Sequence, residues 1–367
     1  MHPQTSTTRI RHIPALLCLA LFTSLIVACT SSQKQSVQND HIIGAGSSFI
    51  YPIMGHWIAD YSNNRPGLQI NYQSIGSGGG IRQLKEGTVD FAASDAALDD
   101  HELQSMPALV QIPESAGPVC ITYNLPELKA PLRLSGPTLA KIFLGEIQTW
   151  QDPAIAKDNP GVSLPGHTVV VGHRSDGSGT TNIFTTYLAK VSPDWGQKVG
   201  KGLAVNWPVG LGGKGSEGVT GLVKQTAGAV GYVELSYASE NHLPVSQIQN
   251  QAGNWVDPSP AGATAAIEAF QQELEKDVRT AIVDPPAAAK DAYPISGLTF
   301  LLVPKRPRNP AKGQVVKDFV QFVITQGQNS AEPMDYARLP SSLAEQDQKL
   351  LGELQGGGQT SQNQPHP

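Results

Sequence analysis

A strand, a turn of small residues and a helix follow one another in TVVVGHRSDGSGT, residues 168–180, and TNIFTTYLAK, residues 181–190. The apolar run ends in residues whose backbone N–H groups and hydroxyls can line the start of a helix. Similar strand patterns at 41–45, 68–73 and 89–93 also end in small polar residues, and two of those turns open a helix. This order predicts an open α/β sheet with a ligand at the carboxyl ends of its strands.

The composition is that of a turn-rich globular protein. The chain has 367 residues, of which 40% are hydrophobic, and its 26 Lys and Arg against 31 Asp and Glu give a net charge of −5. These values exclude a disordered or collagen-like chain, and the length indicates two domains of about 100–200 residues each. No long basic run is present, so we expect no nucleic-acid partner. With 37 Gly and 28 Pro, an α/β architecture is favoured over a helical bundle.

The amino terminus predicts export and lipidation. A short basic segment precedes an apolar run at 13–28 that is too short to span a bilayer comfortably. The end of that run, LIVAC at 25–29, resembles a bacterial lipobox, so we expect residues 1–28 to be a signal peptide and Cys29 to carry the lipid. The alternative is an ordinary signal peptide with an incidental cysteine. Residues 29–40 are then a polar, flexible tether.

The remaining cysteines and histidines predict neither a disulfide nor a metal site. Cys18 would leave with the signal peptide and Cys29 would be acylated, so only Cys120 remains in the mature chain. In its apolar surroundings Cys120 is expected to be a small buried hydrophobe. The nine His are scattered without paired spacing, and His173 beside a strand is more simply structural than a ligand. We therefore expect no metal and no cofactor.

Four segments have the composition of an oxyanion site: GSSF at 46–49, GSGG at 76–79, Ser94-Asp95, and 174–180. Their N–H groups and hydroxyls can converge on an anion, with helix dipoles behind them. Each segment alone is a weak signal, because a tight connection without a ligand has the same composition. None of them contains a P-loop lysine, and the glycines from 44 onward lack the Rossmann spacing.

Three charged residues within these segments indicate the kind of anion. Arg174 can present a planar, bidentate donor to a tetrahedral oxyanion, and Asp176 is close enough in sequence to hold the guanidinium in place. Asp95 would repel an anion unless the ligand donates a proton to it. Phosphate carries such a proton near neutral pH and sulfate does not, so Asp95 would select phosphate. The alternative role for Asp95 is a helix N-cap in front of residues 96–98.

Six ordered segments resemble the periplasmic phosphate-binding proteins of Pst-type ABC transporters. The resemblance extends from about residue 42 to about residue 343, which leaves the signal, the tether and the tail outside it. The ligand segments are GAGSSF (44–49), YQSIGSGGG (72–80), VDFAASD (89–95) and DGSGT (176–180), and the structural segments are WPVGLGGKG (207–215) and GAVGYVE (228–234).

The resemblance implies which residues bind phosphate. Hydroxyls, backbone N–H groups and one guanidinium would donate hydrogen bonds, Asp95 would accept one, and Asp176 would orient Arg174. Two positions depart from the family: Ser48 stands where many relatives have Thr, and His173 where some have a second Arg. The residues implied to contact phosphate are Ser48, Phe49, Ser77, Asp95, Arg174, Ser178, Gly179 and Thr180.

The resemblance also implies an architecture and a role. The fold would be the two-lobed, type II periplasmic binding protein architecture, with lobe 1 at 41–123 and 300–354, lobe 2 at 124–299, and a disordered tail at 355–367. Phosphate would lie in the cleft between the lobes. The protein would be a monomeric extracytoplasmic lipoprotein that passes phosphate to a membrane permease and its ATPase, and it would not be an enzyme.

Two other functions remain open from the residues alone. Ser178 between two glycines resembles the nucleophile of a secreted phosphatase or esterase, but the glycines are adjacent to it rather than spaced as Gly-x-Ser-x-Gly. No particular histidine is marked as its base. A receptor for sulfate, molybdate or another oxyanion is the second alternative, and Asp95 argues against it.

Overall fold

Eleven strands and thirteen α-helices lie in the part of the chain that the computed structural model describes, residues 41–63 and 65–354. The strands are β1 His41–Gly46, β2 Gln69–Ser74, β3 Phe91–Ser94, β4 Leu109–Tyr123, β5 Arg133–Leu134, β6 Val170–Arg174, β7 Leu211–Gly213, β8 Ala229–Glu234, β9 Gln247–Gln249, β10 Trp255–Val256 and β11 Ser296–Pro304. The helices are α1 Tyr51–Ser62, α2 Ser77–Glu86, α3 Asp100–Gln104, α4 Gly136–Phe143, α5 Pro153–Asp158, α6 Gly179–Val191, α7 Pro193–Lys198, α8 Gly215–Gln225, α9 Leu235–Glu240, α10 Pro260–Ala269, α11 Gln271–Lys276, α12 Pro310–Val323 and α13 Ser341–Gly352, with 3-10 turns at Gln326–Ser330 and Glu332–Met334.

Two groups of parallel strands are joined by two long antiparallel strands. The sheet order is β2-β1-β3-β11-β4-β8-β6-β7. In the first parallel group β1 lies between β2 and β3, and in the second parallel group β6 lies between β7 and β8. Between the two groups, β11 pairs antiparallel with both β3 and β4, and β4 pairs antiparallel with β8. A separate three-stranded sheet contains β10, β9 and β5.

The long strand β4 changes partner along its length. It pairs with β11 from Leu109 to Pro118 and with β8 from Val119 to Tyr123. Through these pairings β1 runs in the same direction as β4, and β6 runs in the opposite direction. The carboxyl ends of the two parallel groups therefore point toward each other. Strand ends of this kind are where open α/β sheets bind ligands.

The strand patterns at 41–45, 68–73 and 89–93 correspond to β1, β2 and β3, and the helical stretch at 181–190 lies within α6. Two apolar runs, 109–112 and 119–124, contribute to the single strand β4. Helix α2 begins at Ser77, directly after Gly76, which adopts a φ of +81°. A Cβ on Gly80 would lie 2.5 Å from the carbonyl oxygen of Ala45, so only glycine allows α2 to pack this closely on β1.

The Ala-rich stretch at 263–274 has a helical pattern, but the structure divides it between two helices, α10 and α11. The chain leaves helical geometry at Phe270, where φ is −114° and ψ is 18°. Phe270 packs against a core that includes Ile267 and Leu274, the same side on which a continuous helix would place all three.

Helix α1 is anchored behind β1 by aromatic side chains. Trp57 is fully buried, and its indole N–H donates to the carbonyl oxygen of Gly327 at 2.8 Å. The ring of Tyr61 lies 5.3 Å from the ring of Phe319, centroid to centroid. Because α1 follows the segment that ends β1, this packing also fixes the position of Ser48 and Phe49.

Several sequence-based predictions lie outside the described residues. They concern the signal peptide at 1–28, lipidated Cys29, the tether at 29–40 and the tail at 355–367. Among the residues that are described, no helix combines the length and the apolar character needed to cross a membrane. Cys120, in β4, is fully buried, as predicted.

A buried carboxyl in α13 makes stability depend on pH. Asp347 is completely buried, and within the described chain neither of its carboxyl oxygens has a hydrogen-bond partner. Burial raises the pKa of Asp347 to about 8. The folded state therefore keeps a proton that the unfolded chain releases near pH ~4. The contribution of Asp347 to stability is complete below that pH and is lost as pH rises toward about 8.

Replacing Asp347 with Asn should remove this pH dependence. We expect Asp347→Asn to raise the melting temperature relative to the unmodified protein at pH 8, and to change it much less at pH 5, because the amide cannot ionise. Thermal unfolding of both proteins at the two pH values measures the effect. Glu345→Gln, at an exposed position of the same helix, is the control. An equal shift at both pH values would contradict the prediction.

Candidate functional site

The polar segments singled out in the sequence meet where the two parallel groups face each other. Ser48 and Phe49 follow β1, Asp95 follows β3, and Arg174 is the last residue of β6. Ser77 is the first residue of α2, and α6 and α8 begin beside it. The predicted site residues with side chains are all buried in the structure: Ser48, Phe49, Ser77, Asp95, Arg174, Ser178 and Thr180.

Asp95 is held by donors from both parallel groups. Its Oδ1 accepts from the hydroxyl of Ser47, and its Oδ2 accepts from Thr180 Oγ1 at 3.2 Å. The N–H of Asp95 donates to Ser77 Oγ at 3.3 Å. The helix-cap alternative for Asp95 is wrong, because the next helix is α3, which Asp99 caps. Asp95 instead lies inside the site with its carboxylate among hydroxyls.

The environment of Asp95 suits a proton acceptor. Burial raises the pKa of Asp95 to about 6, while hydrogen bonds from Ser47 and Thr180 and the charge of Arg174 limit the rise. Above that pH the carboxylate is ionised and can accept a hydrogen bond. Below it, the protonated carboxyl becomes a donor like its neighbours.

Arg174 and Asp176 form a bidentate ion pair at the edge of the site. Arg174 Nε lies 2.8 Å from Asp176 Oδ1, and Nη2 lies 2.6 Å from Oδ2. The Arg174 side chain is 2% exposed and that of Asp176 is 13% exposed. Although burial opposes ionisation of Asp176, the hydrogen bonds and charge of Arg174 hold the pKa of that carboxyl below its usual value. The pair leaves Arg174 Nη1 directed at Thr180 Oγ1 and Ser216 Oγ, each 3.5 Å away.

The start of α6 is pressed against the start of α2. The Gly179 N–H donates to Ser77 Oγ at 3.1 Å, and the Gly78 N–H donates to the carbonyl oxygen of Gly177 at 2.9 Å. A Cβ on Gly179 would lie 2.6 Å from Ser77 Oγ and from Asp95 Cβ, so this position needs glycine. Ser178 caps α6, since its Oγ accepts from the N–H of Thr181 at 3.1 Å.

The segment after β1 is fixed by tyrosine hydroxyls. Tyr237 OH donates to the carbonyl oxygen of Ser48 at 2.7 Å, and Tyr336 OH donates to that of Phe49 at 2.7 Å. The N–H of Phe49 donates to Ser47 Oγ at 3.0 Å.

His173, which the sequence predicts to be structural, stacks on Trp207 with the ring centroids 4.9 Å apart.

Two functional side chains were missed from the sequence, Ser47 and Ser216. Ser216 is the second residue of α8, and its Oγ lies 3.0 Å from Ser48 Oγ. Residues 207–215 are predicted to be structural, and that segment ends one residue before Ser216. The signal that could have found Ser216 is the glycine-rich run GGKGS at 212–216, which precedes a helical pattern as GSGG at 76–79 does.

A buried acid lies behind the site. Glu114 is completely buried in β4 and accepts a hydrogen bond from Thr299 Oγ1 at 3.3 Å. Burial raises the pKa of Glu114 well above its ordinary value, and the nearby charge of Asp95 raises it further. Both effects favour the protonated form of Glu114 relative to an exposed glutamate. Among the described residues, no group of three or more His, Cys, Asp or Glu is arranged to hold a metal ion.

Comparisons with known proteins agree with this geometry. The family model described as PBP superfamily domain matches residues 30–326. The chain is 45% identical to the phosphate-binding protein PstS of Xylella fastidiosa (strain Temecula1) over 86% of this chain and 85% of that protein. It is 41% identical to the phosphate-binding protein PstS of Pasteurella multocida over 88% of this chain and 93% of that protein.

Among solved structures, the chain is similar to a phosphate binding protein from Stenotrophomonas maltophilia. The TM-score is 0.60 at 18% identity, and the match covers 83% of this chain and 92% of that chain. This likeness confirms the predicted α/β binding-protein fold. Together, the matching family model and the two PstS relatives show that the chain belongs to the PBP superfamily and, within it, to the PstS family of phosphate-binding proteins.

Proposed function

We propose that this protein binds inorganic phosphate between two lobes outside the cytoplasm and delivers it to the permease of an ABC-type importer. The observation that carries the proposal is a single carboxylate acceptor, Asp95, set among hydroxyl, N–H and guanidinium donors. Its relatives in Xylella fastidiosa and Pasteurella multocida are named for phosphate binding. A partly protonated tetrahedral oxyanion is the ligand whose donors and acceptors match this set.

The proposed ligand contacts come from both parallel groups. Arg174 supplies the cation, and Asp176 holds it by the bidentate pair. The start of α6 contributes N–H groups with the helix dipole behind them. A buried anion is tolerable only if each oxygen receives hydrogen bonds that replace water. The proposed contacts are Ser48, Phe49, Ser77, Asp95, Arg174, Ser178, Gly179 and Thr180.

Selectivity follows from the proton on phosphate. Monohydrogen phosphate has one O–H that Asp95 can accept, while sulfate presents only oxygen lone pairs to the same carboxylate. Two acceptors facing each other in a buried site leave both unsatisfied and repel. Asp95 therefore rejects sulfate without any change in the size of the site.

We propose that the lobes are residues 41–123 with 300–354, and residues 124–299, and that they close on the ligand. The change of partner along β4 between Pro118 and Val119 supports a crossing between two lobes on this strand, a few residues before the proposed boundary at 123. The origin of Ser77 and Arg174 in different strand groups also supports two lobes. Phosphate contacts residues of both lobes, so binding favours the closed state.

We propose no catalytic activity. An esterase would need a general base beside Ser178, but in the described part of the chain the hydrogen-bond partner of the Ser178 hydroxyl is the backbone N–H of Thr181 at 3.1 Å and not a His, Asp or Glu side chain. The protein would act as a monomer held at the membrane by a lipid on Cys29, after removal of residues 1–28.

Phosphate binding is tested by calorimetric titration of the chain from residue 41 onward, stripped of bound anion. We expect one-to-one binding of phosphate and no binding of sulfate. Phosphate affinity should fall below pH 6, because the pKa of Asp95 is about 6 and its protonated form no longer accepts the ligand proton. Absent binding, or equal binding of the two anions, would contradict the proposed function.

Changing Asp95 to Asn should weaken discrimination. The amide can donate to an oxyanion, so we expect Asp95→Asn to bind phosphate less tightly and to admit sulfate. Competition titrations with both anions measure the ratio of the two affinities. Asp176→Asn is the matched control: it loosens Arg174, so it should weaken phosphate binding without admitting sulfate. Unchanged selectivity in Asp95→Asn would exclude the proton-acceptor role.

Cys29 tests the membrane anchor. We expect Cys29→Ser to release the protein from membranes into the soluble fraction, because serine cannot carry the thioether-linked lipid. Cell fractionation followed by detection of the protein measures the release. Cys18→Ser, within the predicted signal peptide, should leave the protein on the membrane. Membrane retention of Cys29→Ser would argue against lipidation.

A further inference from the structure

Three contacts from the second parallel group and the helices that follow it converge on Ser48. The N–H of Ser216 donates to Ser48 Oγ at 3.1 Å, and the two hydroxyl oxygens lie 3.0 Å apart. Tyr237 OH donates to the carbonyl oxygen of Ser48 at 2.7 Å. All three residues are buried. Ser216 and Tyr237 are called the Ser48 clamp below.

The start of α8 is built to make these contacts. Helix N-termini leave N–H groups without helical partners, and these are commonly satisfied by a side-chain cap. The cap residue of α8, Lys214, provides no such hydrogen bond. Instead, the N–H of Gly215 donates to Asp176 Oδ1 at 3.1 Å, and the N–H of Ser216 donates to Ser48 Oγ. Two N–H groups at the start of α8 that have no partner within the helix therefore bind residues of the proposed phosphate site.

Tyr237 is itself fixed by its surroundings. Glu217 Oε1 is a second, longer acceptor for the single hydroxyl hydrogen of Tyr237, at 3.1 Å against 2.7 Å to the Ser48 carbonyl oxygen. Glu217 Oε1 also accepts from Ser74 Oγ at 3.4 Å, at the end of β2. Glu217 is in the first turn of α8, next to Ser216. The two members of the Ser48 clamp therefore form one connected set of contacts between the strand groups.

A serine hydroxyl needs such support to donate in one direction. Ser48 has an unbranched side chain with three staggered rotamers available. An N–H donated to its oxygen uses a lone pair and leaves the O–H free to donate to a ligand. Because the contacts join residues of the two strand groups, they exist only when those groups are together, and they favour that state.

We propose, on the basis of the proposed phosphate site, that Ser216 and Tyr237 are positioning residues that hold the Ser48 hydroxyl toward phosphate and slow its release. Ser216 sets the direction of the Ser48 hydroxyl, and Tyr237 fixes the Ser48 backbone. Their effect is on the dissociation rate, since association requires the groups to be apart and the contacts to be absent.

The test is the rate at which the mature chain releases radiolabelled phosphate into an excess of unlabelled phosphate. Ser216→Ala keeps the backbone N–H contact to Ser48 and removes the hydroxyl contact, and Tyr237→Phe removes the tyrosine hydroxyl. Loss of one hydrogen bond predicts that each variant releases phosphate about 3- to 10-fold faster, with little change in association rate. The matched controls are Thr220→Val, one turn further along α8, and Tyr293→Phe, whose hydroxyl donates to the carbonyl oxygen of Val119 at 3.3 Å. Both controls should release phosphate at the unmodified rate.

A second substitution, at Ser48, distinguishes a positioning role of Ser216 from a general structural effect of its replacement. A β-branched residue is stiffer at χ1, so Ser48→Thr should make the hydroxyl independent of Ser216. We expect Ser216→Ala to accelerate release less than about 2-fold when Ser48→Thr is also present. An undiminished effect in that background would overturn the positioning role of Ser216.

The outcomes distinguish this inference from the proposed function. If the unmodified protein fails to bind phosphate, the proposed function is wrong. If it binds phosphate, and both Ser216→Ala and Tyr237→Phe release it at the unmodified rate, the inference alone is wrong. Tyr237→Phe keeps the ring and its packing, so it remains informative if Ser216→Ala folds poorly.

Discussion

The bidentate pair between Arg174 and Asp176 is the interaction on which the site depends. Burying a guanidinium that is 2% exposed is costly unless a partner replaces its water, and Asp176 supplies one at 2.6 and 2.8 Å. The same carboxylate accepts the N–H of Gly215 and so determines where α8 begins. Arg174 is thereby left with Nη1 facing the hydroxyls of Thr180 and Ser216.

The local environment gives the three carboxyl groups in and behind the site different pKa values. Arg174 holds the pKa of Asp176 below its usual value, burial raises the pKa of Glu114 well above its usual value, and burial raises the pKa of Asp95 to about 6. Three carboxyl groups in one region would otherwise repel an anion. Of these three described carboxyl groups, Asp95 is the one that accepts from donors of both strand groups, Ser47 and Thr180. Such an arrangement distinguishes a protonated oxyanion from an unprotonated one by hydrogen bonding rather than by size.

Much of the fold and site was predictable because its signals are local. Apolar runs that end in small residues identified the turns after β1, β3 and β6, and Asp95, Arg174 and Thr180 lie together as those turns suggested. Features that depend on distant segments are not visible in such local signals. Residues 109–123 form one strand because β11 and β8 pair with successive parts of it.

The sequence by itself determined the α/β class, the order of the anion segments and the identity of the charged residues, since each depends on neighbours along the chain. Only the tertiary structure decided that Ser216 contacts Ser48, because the two hydroxyls are 168 residues apart in sequence and 3.0 Å apart in space. It also decided that Asp95 is a buried acceptor and not a helix cap. The protonation and partners of a carboxylate depend on burial and on donors from distant segments, and these exist only once the strand groups face each other.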